Sequence, residues 1–395
     1  MNTFTKRQFT FDLNIIRDCN FRCNYCAIPF DGQKFSPEHI DKFIDKLKFL
    51  LESKDFNYDS IRIAFFGGEP TLNNEDILKI TETFRDNDRI LFFLYTNGYK
   101  YSQKTWDLLE SFKHSFIGRE PKFLTQISYD GLASHNVDRI LKSKKQTALE
   151  VKETIFEMVK RKIPFQVHPT ISAKNFDKLA ENYFEFKRMS EVLGMEFNYS
   201  PTIDYLTHYK FTKQELENLK ETLKTEFNKI AQDNIDSYNG SFRFGWFNPN
   251  KAICSAGNGY VGIELDGTVV PCHGCFGMAT SDKELNVTHL DEPNQIFMEA
   301  LLKSSGEYSR ALEFMPNECL DCKTHYCLKC NAAKYNNSKI TLKNPKGLDY
   351  KGLKYLKWTD YTNQPSLCAL YKFIGLYRVA LLKVINNQNC ELGQN

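Results

Sequence analysis

The sequence predicts an α/β protein, a partial (β/α)6 TIM-type barrel followed by a C-terminal domain rich in cysteine. In the first half of the chain, apolar and β-branched runs alternate with amphipathic helical patterns, which is typical of parallel sheets. Nine of the twelve cysteines then lie between Cys254 and Cys390, where this alternation has ended. We therefore expect four regions: a barrel over 1–210, a bridging helix and linker over 211–250, a cysteine-rich domain over 251–370, and a C-terminal helix and tail over 371–395.

Six strand-like runs precede the bridging helix. The first helix among them is well marked, because Ser36 suits an N-cap and Pro37 suits the first helical position. A doubly wound sheet is the alternative to a barrel. Polar and glycine-rich segments directly follow successive strands, as in barrel enzymes, and this favours the barrel. The strands are predicted at Phe9–Ile16, Ile61–Phe66, Ile90–Tyr95, Phe123–Tyr129, Pro164–Ile171 and Glu196–Ser200.

Charge and hydropathy exclude several classes of partner. A net charge of +3 over 395 residues gives no reason to expect nucleic acid or a membrane surface as a partner. The N-terminus lacks the apolar core of a secretory signal, and the apolar stretch 367–385 carries Lys372, Arg378 and Lys383. In a reducing compartment, cysteines bind metals more often than they form disulfides. We therefore expect a cytoplasmic protein.

Cys19, Cys23 and Cys26 follow the first predicted strand, with three and then two residues between them. One short loop with this spacing can deliver three thiolates to three irons of a cubic cluster, which leaves the fourth iron open to another ligand. A zinc knuckle or buried free thiols would be the alternative. The spacing, with the aromatic Tyr25 before the last cysteine, resembles the radical S-adenosylmethionine (SAM) superfamily. The resemblance implies a 4Fe-4S cluster that binds SAM, and cleavage of SAM to a 5′-deoxyadenosyl radical that abstracts a hydrogen atom from a substrate.

A set of residues at the ends of the predicted strands resembles the SAM cradle of that superfamily. Gly67 and Gly68 let the backbone approach a ligand closely, and the resemblance implies that Glu69 holds the SAM amino group. It also implies that Ser128 and Arg139 bind the SAM carboxylate and ribose. Three further strand-end residues complete the predicted SAM-binding set, with a turn role as the alternative for the first two: Thr96, Asn97 and Asp130.

The second half of the chain carries a second cysteine pattern. Two close pairs, Cys319 with Cys322 and Cys327 with Cys330, could bind zinc as a ribbon. The pattern also resembles the SPASM extension of peptide-modifying radical SAM enzymes, in which seven cysteines bind two auxiliary 4Fe-4S clusters. By that resemblance the nearer cluster takes Cys254, Cys272 and Cys330, and the distal cluster takes Cys319, Cys322, Cys327 and Cys368.

The segment around Cys272 departs from the SPASM pattern. Asp266-Gly267 between apolar runs predicts a hairpin whose second strand ends near Cys272. The cysteine that relatives place shortly after the first ligand is absent, so either Cys275 replaces it or the nearer cluster keeps an open iron. His273 stands where sulfatase-maturating relatives have an aspartate that is proposed to take the substrate proton. A histidine can act as a general base, and a plain hydrogen-bonding role is the alternative.

These observations predict a radical SAM/SPASM enzyme that oxidises or cross-links a side chain of a ribosomal peptide or protein. Its cofactors would be SAM and three 4Fe-4S clusters, and an external donor such as flavodoxin or ferredoxin would supply the electron. Peptide epimerisation and a sulfatase-maturase-like oxidation are rival outcomes. A non-catalytic metal-binding module is a further alternative, although it leaves the strand-end residues without a role.

Overall fold

The structure, a computed structural model, describes most of the chain as far as Glu313. Several predicted site residues lie outside the described residues, namely Tyr25, Cys254, Cys319, Cys322, Cys327, Cys330 and Cys368. The described residues are 7–24, 26, 28, 30–132, 136–171, 174–194, 198–199, 202–203, 212–236, 243–244, 259–276 and 286–313.

The described residues contain strands and helices that alternate as the sequence predicts. The strands are β1 (Gln8–Ile16), β2 (Ser60–Gly67), β3 (Ile90–Thr96), β4 (Phe116–Ile117), β5 (Glu120–Pro121), β6 (Phe123–Ser128), β7 (Phe165–His168), β8 (Thr170–Ile171), β9 (Asn198–Tyr199), β10 (Thr202–Ile203), β11 (Arg243–Phe244), β12 (Tyr260–Ile263), β13 (Thr268–Val270) and β14 (Thr288–His289). The helices are α1 (Pro37–Glu52), α2 (Asn74–Thr83), α3 (Gln103–Phe112), α4 (Ala148–Lys160), α5 (Leu179–Leu193), α6 (Lys213–Asp236) and α7 (Asn294–Glu313).

The main sheet contains eight of these strands in the order β14-β13-β12-β1-β2-β3-β6-β7. The strands from β12 to β7 are parallel to their neighbours, and β13 and β14 are added antiparallel. This parallel-dominated sheet with helical crossovers confirms the predicted α/β fold class. Five of the six predicted strands lie in it. The sixth is observed as β9, which pairs with β11 in a separate two-stranded sheet and lies next to β7.

Helix α1 begins where the sequence predicts. The Ser36 side chain accepts a hydrogen bond of 3.1 Å from the backbone N–H of His39, and Pro37 takes the first helical position. The helix then buries one face against the outer side of the sheet, where the rings of Phe43 and Phe11 meet edge to face at 5.7 Å. Alternate residues of β1 point to this core, because successive side chains of a strand face opposite sides.

The predicted hairpin is present, and it extends the barrel sheet. Gly267 turns the chain at a φ of +88°, and β12 and β13 pair antiparallel on either side of it. β12 also pairs parallel with β1, from Thr10 opposite Tyr260 to Leu13 opposite Ile263. The hairpin that leads to Cys272 therefore belongs to the same sheet as β1, the strand that leads to the first cysteine loop.

Glu264 ties this hairpin to the end of β1. Its carboxylate is almost fully buried and accepts hydrogen bonds from Asn14 Nδ2 at 2.9 Å and from Arg17 Nη2 at 3.1 Å. Arg17 also pairs with Asp31 at 3.3 Å. The buried negative charge is thus compensated by one cation and one amide, as a buried charge requires.

Within the described part of the chain, none of the helices has both the length and the apolar character needed to span a lipid bilayer.

Replacing Glu264 with alanine tests the tie between hairpin and barrel. The change leaves the Arg17 guanidinium and the Asn14 amide without their buried acceptor, so we expect a loss of about 3 kcal/mol in the free energy of unfolding. Urea denaturation measures it. Glu38→Ala is the matched control, since Glu38 pairs with Lys42 on the exposed face of α1, and its loss is expected to leave stability nearly unchanged. Equal effects of the two variants would contradict the assignment.

Candidate functional site at the carboxyl ends of the strands

The first cysteine loop begins directly after β1. The segment between β6 and α4 holds it, because the backbone N–H of Arg22 donates to the carbonyl of Ile140 at 2.7 Å and that of Asn24 donates to the carbonyl of Asp138 at 3.1 Å. The loop therefore has a defined path across the carboxyl end of the sheet. This is the end where parallel α/β sheets bind their ligands.

The environment of Cys19 disfavours a thiolate in the protein alone, and a cationic metal group would compensate for this. Burial raises the pKa of the Cys19 thiol to about 12, and the negative charge of Glu69 and the neighbouring Cys23 and Cys26 add to this effect. A bound iron-sulfur cluster supplies the positive charge that such a thiolate lacks in the protein alone. Two donors already point at the Cys19 sulfur: the backbone N–H of Phe21 at 3.3 Å and Asn97 Nδ2 at 3.7 Å.

No three His, Cys, Asp or Glu side chains within the described ranges converge closely enough to hold a single metal ion. A cubic cluster makes a different demand, because each of its irons takes one thiolate and the ligands surround the cube. Cys19, Cys23 and Cys26 on one loop fit that demand.

Gly67 and Gly68 lie where β2 ends against the cysteine loop. The backbone N–H of Gly68 donates to the carbonyl of Ile16 at 2.7 Å. A Cβ atom at Gly68 would lie only 2.1 Å from the carbonyl oxygen of Asp18, and one at Gly67 would lie 2.4 Å from that of Ile16. The two glycines are therefore required for the close approach of β2 to the residues that precede Cys19.

Glu69 is the centre of a buried hydrogen-bond network. One carboxylate oxygen accepts from the hydroxyls of Thr71 at 2.7 Å and Thr96 at 2.8 Å, and the other accepts from the backbone N–H of Asn97 at 2.7 Å. Burial raises the pKa of this carboxyl, and the hydrogen bonds oppose the rise. The network fixes the carboxylate next to the cysteine loop, where the SAM ammonium is predicted to bind.

Thr96 and Asn97 have the turn role that the sequence left open. The Thr96 hydroxyl accepts from the N–H of Gly98 at 3.1 Å, and the Asn97 side chain accepts from the N–H of Tyr99 at 2.9 Å. Asn97 Nδ2 also donates to Asn20 Oδ1 at 2.6 Å, which connects the end of β3 to the cysteine loop. Both residues thus position Glu69 and the loop, and a direct contact with SAM remains a prediction.

Arg139 lies in a buried cluster beyond β6. Its Nε lies 2.9 Å from Asp130 Oδ1, and its Nη2 donates to Thr170 Oγ1 at 3.0 Å. Burial raises the pKa of Asp130, and the charge of Arg139 opposes that rise. Asp130 therefore holds the guanidinium in place. Ser128 is half-buried at the last position of β6, opposite His168 in the neighbouring strand.

Cys272 and Cys275 lie together after the hairpin. A short 3₁₀ helix over His273–Cys275 brings the two buried sulfurs to 3.9 Å from each other. The hydrogen bond to Cys275 and burial raise the pKa of Cys272 well above its usual range. Cys275 therefore lies close enough to Cys272 for both to bind one metal group.

His273 contacts two residues that the sequence did not single out. Its Nδ1 lies 2.6 Å from Asp12 Oδ2, and the hydroxyl of Tyr260 contacts both of these atoms. Asp12 is fully buried, and burial keeps the pKa of Tyr260 well above its usual value, so the hydroxyl is a donor. The signal for Asp12 was a carboxylate within the apolar strand β1, but its partner lies 261 positions away in the sequence.

His273 is also packed against an aromatic side chain of the barrel. The Phe66 ring stacks on the imidazole, with centroids 4.7 Å apart. The contact with Asp12 occupies Nδ1, and among the described residues no hydrogen bond to the other ring nitrogen is seen, so that nitrogen could face a substrate or water.

Comparisons with known proteins agree with this geometry. Residues 13–183, about two fifths of the chain, match the family model of the radical SAM superfamily. The overall fold is similar to that of a solved structure described as native anSMEcpe with bound AdoMet and Cp18Cys peptide. That similarity covers 96% of this chain and 99% of the other at 20% identity, with a TM-score of 0.68.

The curated relatives that match parts of this chain include GTP 3′,8-cyclases. A GTP 3′,8-cyclase of Haemophilus ducreyi is 40% identical over 98 residues, which are 24% of this chain and 28% of the cyclase. This chain therefore matches less than a third of the length of that relative. A GTP 3′,8-cyclase of Helicobacter pylori is 24% identical over 268 residues, which are 66% of this chain and 78% of the cyclase.

Replacing Gly68 with alanine tests the contact between β2 and the cysteine loop. The added methyl group would collide with the Asp18 carbonyl, so we expect the loop to shift and the anaerobically reconstituted protein to lose about four irons per chain. Iron analysis and SAM binding measure the effect.

Gly32→Ala is the control for the Gly68 variant. Gly32 has a positive φ, of +74°, but no atom lies within 4 Å of its added Cβ, so only local strain is introduced. Full iron content and normal SAM binding in the Gly68 variant would contradict this account of the loop.

Proposed function

We propose that this chain, in which residues 13–183 match the radical SAM superfamily, is a SPASM-type enzyme that oxidises or cross-links a side chain of a peptide or protein. The observation that carries the proposal is the position of the hairpin. Through β12 it joins the same sheet as β1, so Cys272, His273 and Cys275 lie on the sheet whose strand ends carry the first cysteine loop. His273, directly after Cys272, contacts Asp12 of β1 at 2.6 Å, so a cluster bound at Cys272 would lie against the sheet, where it could take an electron from a substrate radical.

At the first site, different residues would hold the cluster and SAM. Cys19, Cys23 and Cys26 would hold a 4Fe-4S cluster, and Glu69 and Arg139 would bind the charged ends of SAM. When bound and reduced by a donor such as flavodoxin or ferredoxin, the cluster with SAM supplies a 5′-deoxyadenosyl radical that abstracts a hydrogen atom. The buried contacts of Glu69 and Arg139 fix both groups before SAM binds, which lowers the cost of ordering the site.

The second site would be an electron acceptor. We propose that Cys275 supplies the ligand that is missing from the SPASM pattern, because its sulfur lies 3.9 Å from that of Cys272. The other proposed ligands, Cys254 and Cys330 of the nearer cluster and the four cysteines of the distal cluster, lie outside the described residues. With both auxiliary clusters the chain would bind three 4Fe-4S clusters.

His273 is our candidate for the residue that takes the substrate proton. A carbon radical formed by hydrogen abstraction must lose one electron and one proton to complete a two-electron oxidation. The carboxylate of Asp12 at 2.6 Å orients the imidazole, in the way that carboxylates orient histidines at many catalytic sites. His273 would therefore perform the task that relatives give to an aspartate at this position.

Cyclisation of a nucleoside triphosphate is a second candidate function, favoured by the match to GTP 3′,8-cyclases over 66% of this chain. A triphosphate needs several cations in its site. In this proposal Arg139 is assigned to SAM, and Arg62 is paired with Glu120 at 2.8 Å, so neither cation is left for a triphosphate. Among the described residues, this distribution of charge favours the peptide substrate.

Product analysis distinguishes the two functions. The reconstituted enzyme is incubated with SAM and dithionite, in parallel with GTP and with the synthetic peptides that short reading frames beside its gene encode. We expect a peptide product about 2 Da lighter, as a two-electron oxidation or a cross-link requires, and no consumption of GTP. Conversion of GTP without any change in the peptides would overturn the proposal.

Replacing His273 with glutamine tests its role in the oxidation. We expect peptide product formation to fall by about a hundredfold, as is typical for removal of a general base, while SAM cleavage continues. His114→Gln is the control, because His114 is exposed and directly follows the C-cap of α3. Equal losses of product and of 5′-deoxyadenosine in the His273 variant would show that the residue supports the site as a whole.

A further inference from the structure

The inner face of strands β6 and β7 carries two glutamines, Gln126 and Gln166, that the proposed site does not use. Along β6 the exposure alternates, with Thr125 and Ile127 buried against the helices and Gln126 and Ser128 half-buried on the other face. Strand β7 alternates in the same way, so that Gln166 is half-buried on the inner face. The half-buried side chains are therefore accessible from the inner face of the sheet.

Gln126 and Gln166 form a pair across the two strands. They are register partners, and Gln166 Nε2 donates a hydrogen bond of 2.7 Å to Gln126 Oε1. This bond leaves the NH2 group of Gln126 as a donor and the carbonyl of Gln166 as an acceptor. If both amides were turned over, the pair would still present one donor and one acceptor.

The pair continues a band of side chains that reaches His273. Gln126 lies opposite Tyr95 of β3, and the ring of Tyr95 meets that of Phe66 at 5.2 Å. Phe66 in turn stacks on His273 at 4.7 Å. The band therefore has an aromatic end beside the candidate proton acceptor and an amide end about two residues, or about 7 Å, before the predicted SAM contact Ser128.

The charge of this band points to the kind of group that it binds. Arg62 is the single lysine or arginine in β2, β3, β6 and β7, and it is paired with Glu120 at 2.8 Å. A neutral surface with one donor and one acceptor matches a neutral amide, which offers one acceptor and one donor in return. It does not match a phosphate or a carboxylate.

We propose that Gln126 and Gln166 bind the main-chain amide of the substrate, and so hold the peptide backbone while the reacting side chain lies towards Phe66 and His273. This inference rests on the proposed peptide function. It names the part of the substrate that the interior of the barrel would bind. Recognition of the main chain would place no requirement on the type of the neighbouring side chains in the peptide. The aromatic end of the band would then select the side chain that reacts.

An amide-to-ester exchange in a small probe tests the proposal directly. N-acetyl-trialanine amide is compared with its depsipeptide, in which an ester replaces the amide between the first and second alanines and removes one N–H donor. Binding to the full-length, reconstituted protein with SAM is measured by NMR titration. We expect the wild type to bind the ester about 3- to 10-fold more weakly, as the loss of one neutral hydrogen bond predicts.

Two variants assign that preference to the glutamine pair. Gln166→Leu keeps the size of the side chain but removes the acceptor, so the amide and the ester are expected to bind alike. Gln126→Glu keeps the acceptor for Gln166 and removes the free donor, so both probes are expected to bind about 3- to 10-fold more weakly. Gln103→Leu, on the exposed surface of α3, is the control and retains wild-type binding.

The outcomes separate this inference from the proposed function. Equal binding of amide and ester by the wild type, or a preference that survives in Gln166→Leu, overturns main-chain recognition by the pair and leaves the peptide function standing. Binding of GTP but of neither tripeptide by the wild type overturns both.

Discussion

Strand β1 has two parallel neighbours, β2 on one side and β12 on the other, and the segments that leave the ends of these three strands assemble the candidate site. The first cysteine loop leaves β1, the two glycines and Glu69 lie at the end of β2, and the hairpin that leads to Cys272 continues from β12. Because parallel strands end at the same edge of a sheet, the pairing of β1 with β12 brings together the ends of two strands that are about 250 residues apart in the sequence, and β13 then runs back antiparallel towards Cys272. Glu264 reinforces the pairing, since its buried carboxylate binds both Asn14 and Arg17.

Preorganisation by buried polar groups is the common feature of the site. Glu69 is held by donors from the ends of β2 and β3, Arg139 is held by Asp130, and His273 is held by Asp12. Each contact takes a charged or titratable group out of water, and each group therefore has a partner that compensates for the lost hydration. Burying these groups costs stability, but their contacts fix the geometry of the site. A reaction through a free radical requires a fixed geometry if side reactions are to be avoided.

Local features of the site could be predicted from sequence, and long-range pairings could not. The cap of α1 by Ser36, the turn at Gly267 and the strands β1, β2, β3, β6 and β7 depend on residue types and spacing within short windows. The contact of Asp12 with His273 and the pairing of Gln126 with Gln166 depend on strand register, and a shift of one residue would turn each side chain to the opposite face. A carboxylate within an apolar strand could have drawn attention to Asp12, but its partner could not be inferred from that pattern.

The formation of 5′-deoxyadenosine tests the central claim most directly. The reconstituted protein is reduced with dithionite in the presence of SAM without oxygen, and 5′-deoxyadenosine is measured alongside the iron content of the same sample. The account predicts that the wild type forms 5′-deoxyadenosine and that a Cys19→Ala variant forms none, since three thiolates are needed to hold the cluster with one iron open. A wild-type protein with its full complement of iron that binds SAM and yet leaves it uncleaved would contradict the account.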